Sequence, residues 1–304
     1  MLLIEGTTDF QLDGPSAVAI GKFDGIHRGH QELLKKIKET GFQTVIFTFD
    51  PPPNVLFGQT EVRGLTTREE KRRIFDKQGI DVLIEYPLNE KTAATDPEDF
   101  IEEILVKRLR TAYIAAGTDL SFGSRGRGNS ALLEKWADTY GYQVEIIDKI
   151  LDEGEEITST RIREEVKQGH MQTVTRLIGF PYSITGIVEH GKRIGRTIGI
   201  PTVNLLPPDD KLLPPHGVYY SYVSYNGKHY RSISNVGVKP TVGDRNVQGV
   251  ESYLYDFDEE IYGKKLTVNL LEFRRPEEKF PSVEVLKAKM QEDVAAGAQY
   301  PQMF

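Results

Sequence analysis

The sequence predicts an α/β protein in two parts: a parallel sheet built of βαβ units, then a small antiparallel β-barrel with a C-terminal helix. Three observations predict it. Up to about residue 150, short apolar runs alternate with helical stretches, the signature of βαβ units and a parallel sheet. After Gly179-Phe180-Pro181, β-rich runs follow one another, with the hairpin signal Asn226-Gly227 between two of them. The length, 304 residues at 38% hydrophobic content, supports two cores rather than one. The expected division is 1–180 and 181–304.

In the first part, Ala17–Ile20 reads as a buried strand and Gln31–Lys38 as a helix with Leu33, Leu34 and Ile37 on its apolar face. Gln43–Phe49 is a second strand, bounded by Gly41 and by Pro51-Pro52-Pro53. Thr67–Lys77 is a charged helix with Thr67 as N-cap. Asp81–Glu85 is a strand, and Thr95-Asp96-Pro97-Glu98 opens a helix running to about Leu109. Ala112–Gly117 is a strand, Gly123–Gly128 a glycine- and arginine-rich loop, and Asn129 caps a helix through Trp136. Tyr142–Ile147 is the fifth strand. Ligands of such sheets bind beyond the strand C-terminal ends, where the Gly21–His30 turn and the Gly117–Gly128 loop both fall.

The turn carries the first chemistry. Gly21-Lys22-Phe23-Asp24-Gly25-Ile26-His27-Arg28-Gly29-His30 links strand to helix, so backbone N–H groups and a helix N-terminus converge where a phosphate binds. Gly21, Gly25 and Gly29 allow close approach of the backbone. His27 and His30, three apart, can face the same phosphates, and they are two of only six histidines in the chain. A metal pair or plain packing are the weaker readings, since no third ligand stands at zinc spacing.

In the second part, Tyr182–Glu189, Gly217–Tyr225, Lys228–Val236, Val250–Tyr255 and Lys265–Phe273 read as strands of a compact barrel. Glu284–Ala295 reads as an amphipathic C-terminal helix. The loop Gly191-Lys192-Arg193-Ile194-Gly195-Arg196-Thr197-Ile198-Gly199 can wrap a polyphosphate with its glycines and basic side chains, although a basic surface turn fits these residues equally well. Thr202 and Asn204 are hard oxygen donors suited to Mg²⁺.

Composition bounds the partners. A net charge of −7 gives no global basic footprint for nucleic acid. No cysteine is present, which excludes thiol chemistry and fits a reducing cytoplasm. No basic-then-apolar leader opens the sequence, and no apolar run nears the roughly 20 residues of a membrane helix. The expectation is a cytoplasmic protein acting on small molecules, with no membrane, nucleic-acid or obligate protein partner.

The turn resembles the signature of the nucleotidyltransferase superfamily in its flavin-adenylating branch, whose two histidines stabilise charge on the α- and β-phosphates. Gly117-Thr118-Asp119-Leu120-Ser121-Phe122-Gly123 and Ile157-Thr158-Ser159-Thr160-Arg161-Ile162-Arg163 resemble two further segments of bacterial FAD synthetases. The resemblance implies a Rossmann-like nucleotidyltransferase domain. It implies ATP contacts from Gly21, Phe23, Asp24, Gly25, Gly29, Asp119, Ser159 and Thr160, with His27, His30 and Arg161 catalytic. The chain departs from that pattern at Pro52, Leu120 and Ser121, near the expected ATP and flavin positions.

Gly199-Ile200-Pro201-Thr202-Val203-Asn204 strongly resembles the Gly-x-Pro-Thr-x-Asn motif of riboflavin kinases. The likeness continues through Gly217-Val218-Tyr219, Ser234–Thr241, Glu251–Phe257 with Ile261-Tyr262-Gly263, and Arg275–Phe280. It implies ATP contacts from Gly191, Lys192, Arg193, Gly195 and Gly199, Mg²⁺ on Thr202 and Asn204, and flavin contacts from Asn235, Gly237 and Arg275. Glu251 is implied as general base for the riboflavin 5′-hydroxyl. Nearly the whole chain is similar to bacterial bifunctional riboflavin kinase/FAD synthetases, with riboflavin, FMN and ATP as substrates. Two other readings stand beside it. One is a kinase whose first domain only binds nucleotide, motivated by Pro52, Leu120 and Ser121. The other is a non-enzymatic flavin-binding regulator, against which Thr202, Asn204 and Glu251 argue.

Overall fold

The structure is a computed structural model that describes residues 1–56, 58, 63–190, 199–240 and 246–301. By density of internal contacts it divides into Met1–Ser159 and Thr160–Phe304.

The first unit is built on a six-stranded sheet in the order β1-β4-β3-β2-β5-β6. The strands are β1 (Leu2–Glu5), β2 (Ser16–Ile20), β3 (Gln43–Asp50), β4 (Val82–Pro87), β5 (Thr111–Gly117) and β6 (Gln143–Ile147), and every pairing is parallel. Strand β2 is central and buried along its whole length. Its alternation sends Val18 and Ile20 to one face and Ala17 and Ala19 to the other. On the first face they meet Phe100, Ile101, Ile104 and Leu105 of α3 (Phe100–Arg108) and Leu133 of α4 (Ser130–Tyr140). On the second face they meet Leu33, Leu34 and Ile37 of α1 (Arg28–Glu39) and Phe75 of α2 (Arg68–Lys77). Two apolar layers therefore clamp the sheet, as burial on both sides of a parallel sheet requires.

The caps read from the sequence are in place. Thr67 and Glu70 close a reciprocal capping box, and Asn129 accepts from Leu132 N–H. Asp96 caps the turn Pro97–Asp99 that leads into α3. Two features differ from expectation. Strand β1 adds an edge to the sheet, pairing with β4. Helix α3 winds with i→i+5 bonds, such as Leu109 N–H to the Ile104 carbonyl at 2.9 Å, instead of the ordinary helical pattern. A two-stranded hairpin, β7 (Leu151–Asp152) and β8 (Glu155–Glu156), follows the sheet.

The second unit is a closed antiparallel barrel in the order β10-β13-β12-β11-β14-β9. Its strands are β9 (Tyr182–Glu189), β10 (Val203–Leu206), β11 (Gly217–Tyr225), β12 (Lys228–Pro240), β13 (Asn246–Leu254) and β14 (Lys265–Pro276). Before it run α5 (Ser159–Gln168) and α6 (Met171–Ile178), the latter packed on β9 and β14. Inside the barrel, Val223, Val250 and Val268 are accompanied by a seam of buried serines. Ser221 bonds Ser232 and Ser234 at 2.7 and 2.8 Å, and Ser234 bonds Ser252 at 2.7 Å, so each buried hydroxyl has a partner.

The C-terminal helix α7 (Val283–Gln299) docks differently from the amphipathic helix expected. Its buried residues are Asp293 and Gly297, not an apolar stripe. Tyr255 and Arg231 donate to its Val294 and Ala298 carbonyls, and Arg274 and Arg275 donate to Asp293. A Cβ on Gly297 would collide with the Tyr255 hydroxyl, so glycine here permits the approach.

Candidate active sites

In the first unit the sheet order reverses at β2, with β3 and β4 on one side and β5 and β6 on the other. The turn after β2 therefore opens into the crevice where such sheets bind ligands. Gly25 has φ +84°, and a Cβ there would press on Leu65. Phe23, also at positive φ, folds its ring inward, edge-on to Phe75 at 5.5 Å and against the His30 ring at 5.1 Å. A Cβ on Gly29 would lie 3.2 Å from the His27 ring, so glycine lets that ring fold back over the helix start.

The two imidazoles stack at 3.8 Å. Both Nδ1 atoms are buried and, among the described residues, lack a hydrogen-bond partner. His27, the N-cap of α1, makes no side-chain cap bond, and no acidic residue lies in the first turn. Polar nitrogens left unpaired in this way cost about 1–3 kcal/mol each unless a ligand accepts from them. Burial pushes the His27 pKa down to about 4, partly opposed by the Asp119 carboxylate. Burial also holds His30 well below the usual range, reinforced by the charges of His27 and Lys71. Both rings are neutral donors near pH 7, and an anionic phosphate would raise their affinity for protons.

Other residues singled out in the sequence lie around this turn. Asp24 does structural work: its Oδ1 accepts from Leu65 and Thr66 N–H at 2.8 and 3.2 Å, tying down the loop that starts α2. Gly21 N–H donates to the Phe47 carbonyl. Asp119 stands exposed at the end of β5, and its charge reaches His27. Ser159 Oγ donates to the Asp24 carbonyl at 2.8 Å, and Thr160 and Arg161 follow in the first turn of α5. Of the departures, Leu120 packs on the core, Ser121 is exposed and Pro52 is half-buried.

In the barrel, register gathers residues that are far apart in sequence. Glu251 pairs with Asn204 on one neighbouring strand and Asn235 on the other. Asn235 pairs with Val218, and Val218 with Arg275. Cross-strand partners share a face, so Asn204, Glu251, Asn235 and Arg275 form one row around the barrel. Val250 and Ser252 are fully buried inside, which turns Glu251 outward. Thr202 Oγ1 donates to Glu251 Oε1 at 2.6 Å. Gly191, Lys192, Arg193 and Gly195 lie outside the described residues, while Gly199 is described with φ +80°.

The row also includes a residue that the sequence reading quoted without a role. The Glu277 carboxylate accepts from Asn235 Nδ2 at 3.3 Å, and a Cβ on Gly237 would lie 2.5 Å from it. Glu277 thus rests on two of the expected flavin residues. The third, Arg275, clamps Asp293 of α7 through Nη2 at 2.6 Å and Nε at 3.1 Å. Only the register of the closed barrel could have revealed these contacts.

Two family models match, FAD synthetase over residues 9–161 and riboflavin kinase over residues 178–300. The bifunctional riboflavin kinase/FMN adenylyltransferase of Listeria monocytogenes is 36% identical over 293 residues, covering 94% of this chain and 93% of its own. That of Escherichia coli K12 is 34% identical, covering 91% and 90%, and that of Bacillus subtilis 31%, covering 94% and 92%. The chain belongs to the bifunctional riboflavin kinase/FMN adenylyltransferase family. A crystal structure named as a macrolide-efflux protein from Streptococcus pneumoniae, 29% identical, matches with TM-score 0.87 over 99% of both chains. Among the described residues of the present chain, no helix is long and apolar enough to cross a membrane. The match places its two folds, in this order, in a solved relative.

Proposed function

We infer that this chain makes both flavin cofactors: it phosphorylates riboflavin to FMN with ATP, then joins FMN to AMP to give FAD and pyrophosphate. The observation that carries the reading is that the two family matches fall on different parts of the chain, each with its own constellation of reactive side chains. We assign adenylylation to residues 1–180 and phosphorylation to 181–304.

In the adenylyltransferase, an FMN phosphate oxygen attacks the α-phosphorus of ATP, and the bond to the β-phosphate breaks, releasing pyrophosphate. His27 and His30 offer N–H donors to the phosphates, with Arg161, Ser159 and Thr160 as further contacts and Gly21, Phe23, Asp24, Gly25 and Gly29 shaping the turn. Asp119 contacts the nucleotide. Neutral imidazoles suit this role, since their bonds strengthen as charge develops on the phosphate oxygens.

In the kinase, the riboflavin 5′-oxygen attacks the γ-phosphorus, the bond to ADP breaks, and Glu251 takes the hydroxyl proton. A carboxylate is a weak base, so positioning carries most of the acceleration. The hydroxyl of Thr202, the amide of Asn204 and the carboxylate beside them form an all-oxygen donor set that fits Mg²⁺. Thr202 commits its proton to Glu251 and keeps oxygen lone pairs for a cation. Bound Mg²⁺ would neutralise phosphate charge there. Gly191, Lys192, Arg193, Gly195 and Gly199 cradle ATP, and Asn235, Gly237 and Arg275 face the flavin. The absence of cysteine supports a cytoplasmic setting, and the charge of −7 supports small-molecule substrates over nucleic acid.

Chromatographic product analysis tests the reading. Purified protein given riboflavin, ATP and Mg²⁺ should yield FMN and then FAD, and given FMN in place of riboflavin should yield FAD. FMN as sole product would leave only the kinase, and no product from folded, flavin-binding protein would favour the regulator.

A further inference from the structure

Lys71 sits on α2 four residues before Phe75, so the two share a helix face. Phe75 packs edge-on against Phe23, whose ring in turn lies against His30. The loop that starts α2 is bonded to the histidine turn three times: Leu65 and Thr66 N–H donate to Asp24, and Gly25 N–H donates to Thr66 Oγ1 at 3.1 Å. These contacts hold the Lys71 end of the helix beside the imidazole pair. The side chain is partly buried, and among the described residues its ammonium makes no hydrogen bond or ion pair. Neighbouring Arg68 and Arg72, by contrast, are committed to Glu85 and Glu5.

The stacked rings are flanked by opposite charges. Asp119 acts on His27, while Lys71 acts on His30. The sheet order explains the arrangement. Helix α2 joins β3 to β4, which lie to one side of β2, whereas Asp119 follows β5 on the other. If ATP occupies the Asp119 side, as the proposed function has it, the Lys71 side is left for the second substrate.

We propose that Lys71 binds the 5′-phosphate of FMN, the attacking group of the adenylyl transfer. Adenylylation must bring one phosphate against a triphosphate, and their repulsion opposes the approach. An ammonium at the His30 end offsets that repulsion on the attacker, while the imidazoles address the phosphate being attacked. No proton is transferred: the FMN oxygen forms its bond to the α-phosphorus and the pyrophosphate leaves with its electron pair. Burial, with the Arg68 charge, holds the Lys71 pKa below the usual lysine value, and Asp24, Glu85 and Asp50 oppose this only in part.

The inference rests on the adenylyltransferase reading of the histidine turn, and the experiment separates the two. In the full-length chain, Lys71→Met, Lys71→Gln and Lys71→Arg are compared with His30→Ala. FAD formation is followed at varied FMN and at varied ATP, with FMN formation from riboflavin as a control that the protein is folded. Losing one charge-assisted hydrogen bond should raise the KM for FMN about tenfold or more in Lys71→Met and Lys71→Gln. The KM for ATP and the kinase rate should hold, and Lys71→Arg should recover most of the loss. An unchanged KM for FMN in both neutral variants, with His30→Ala inactive in adenylylation, overturns the Lys71 proposal alone. A rise confined to the KM for ATP assigns Lys71 to the triphosphate and also overturns it. Full FAD synthesis by both His30→Ala and the Lys71 variants overturns the reading of the turn itself.

Discussion

The two proposed sites would hold a polyphosphate beside a nucleophile with opposite materials. In the histidine turn the donors are buried, neutral and, among the described residues, unpaired, fixed by a strand end, a helix start and three bonds to a neighbouring loop. On the barrel the corresponding groups are partly exposed and already engaged: Glu251 with Thr202, Asn235 with Glu277, Arg275 with Asp293. The first site is preorganised by burial, so the protein carries the cost before substrate arrives. The second would have to exchange side-chain partners for substrate, so its cost would fall at binding. Preorganisation suits the site that joins two anionic phosphates. Exchange suits the one whose nucleophile is a neutral hydroxyl.

Two independent sites make the two chemistries separable. Glu251→Gln should lower the kinase kcat by about 10³-fold, within the usual range for a lost general base, and leave FAD formation from supplied FMN intact. His30→Ala should do the converse, cutting FAD formation by about 10²-fold while FMN accumulates, as for one lost transition-state donor. Product chromatography reads both at once. A variant that depresses both reactions equally would show that the sites are not independent.

A second effect sharpens the contrast in burial. The folded pKa of His27, about 4, lies below the unfolded value near 6.5, so the native state favours the neutral ring. This contribution is fully present above pH 6.5 and is lost as pH falls from 6.5 through 4. It amounts to about 3 kcal/mol before relaxation of the site. Chemical denaturation of the wild type should weaken over that window, and His27→Asn should flatten the loss. Added polyphosphate should shrink the loss, because a bound anion favours the protonated ring and brings the folded pKa back toward the unfolded one.

Much of this was legible in the sequence, and the parts that were not share a physical reason. Turn chemistry is local, so the Thr67 and Asn129 caps, the Asn226-Gly227 hairpin and the His27–His30 spacing could be read directly. Strand β1 is short and half-exposed at a sheet edge, where no periodic burial marks it. The i→i+5 winding of α3 leaves no trace in an apolar pattern that serves either helix. Lys71 looked like one more charge on a solvated helix, because its neighbours come from another loop. The row through Asn204, Glu251, Asn235 and Arg275 exists only once the barrel closes and fixes register.

Arg275 tests the barrel half of the comparison at a smaller scale. Its guanidinium is held by Asp293, which is buried and also receives Arg274. Asp293→Asn should cost about 2 kcal/mol in thermal unfolding, discounted because both arginines retain some water. If Arg275 serves only to hold α7, Arg275→Ala and Asp293→Asn should raise the riboflavin KM alike. A larger rise in Arg275→Ala marks a direct contact with the flavin, made by exchanging Asp293 for substrate.

The smallest effect falls where stability and catalysis meet in the first unit. Thr67 Oγ1 caps Glu70 N–H at 3.2 Å, and the Glu70 carboxylate returns the bond to Thr67 N–H at 3.0 Å. Thr67→Ala should cost about 1 kcal/mol, the usual worth of such a cap, read as a shift in the denaturation midpoint. Lys71 N–H donates to the Thr67 carbonyl, so loosening this first turn also loosens the anchor of the ammonium. FAD formation should therefore fall slightly at subsaturating FMN, while the kinase, whose row of side chains is fixed by barrel register, keeps its rate. A loss in both activities would mean that the cap supports the whole chain and not the placement of one helix beside the histidine pair.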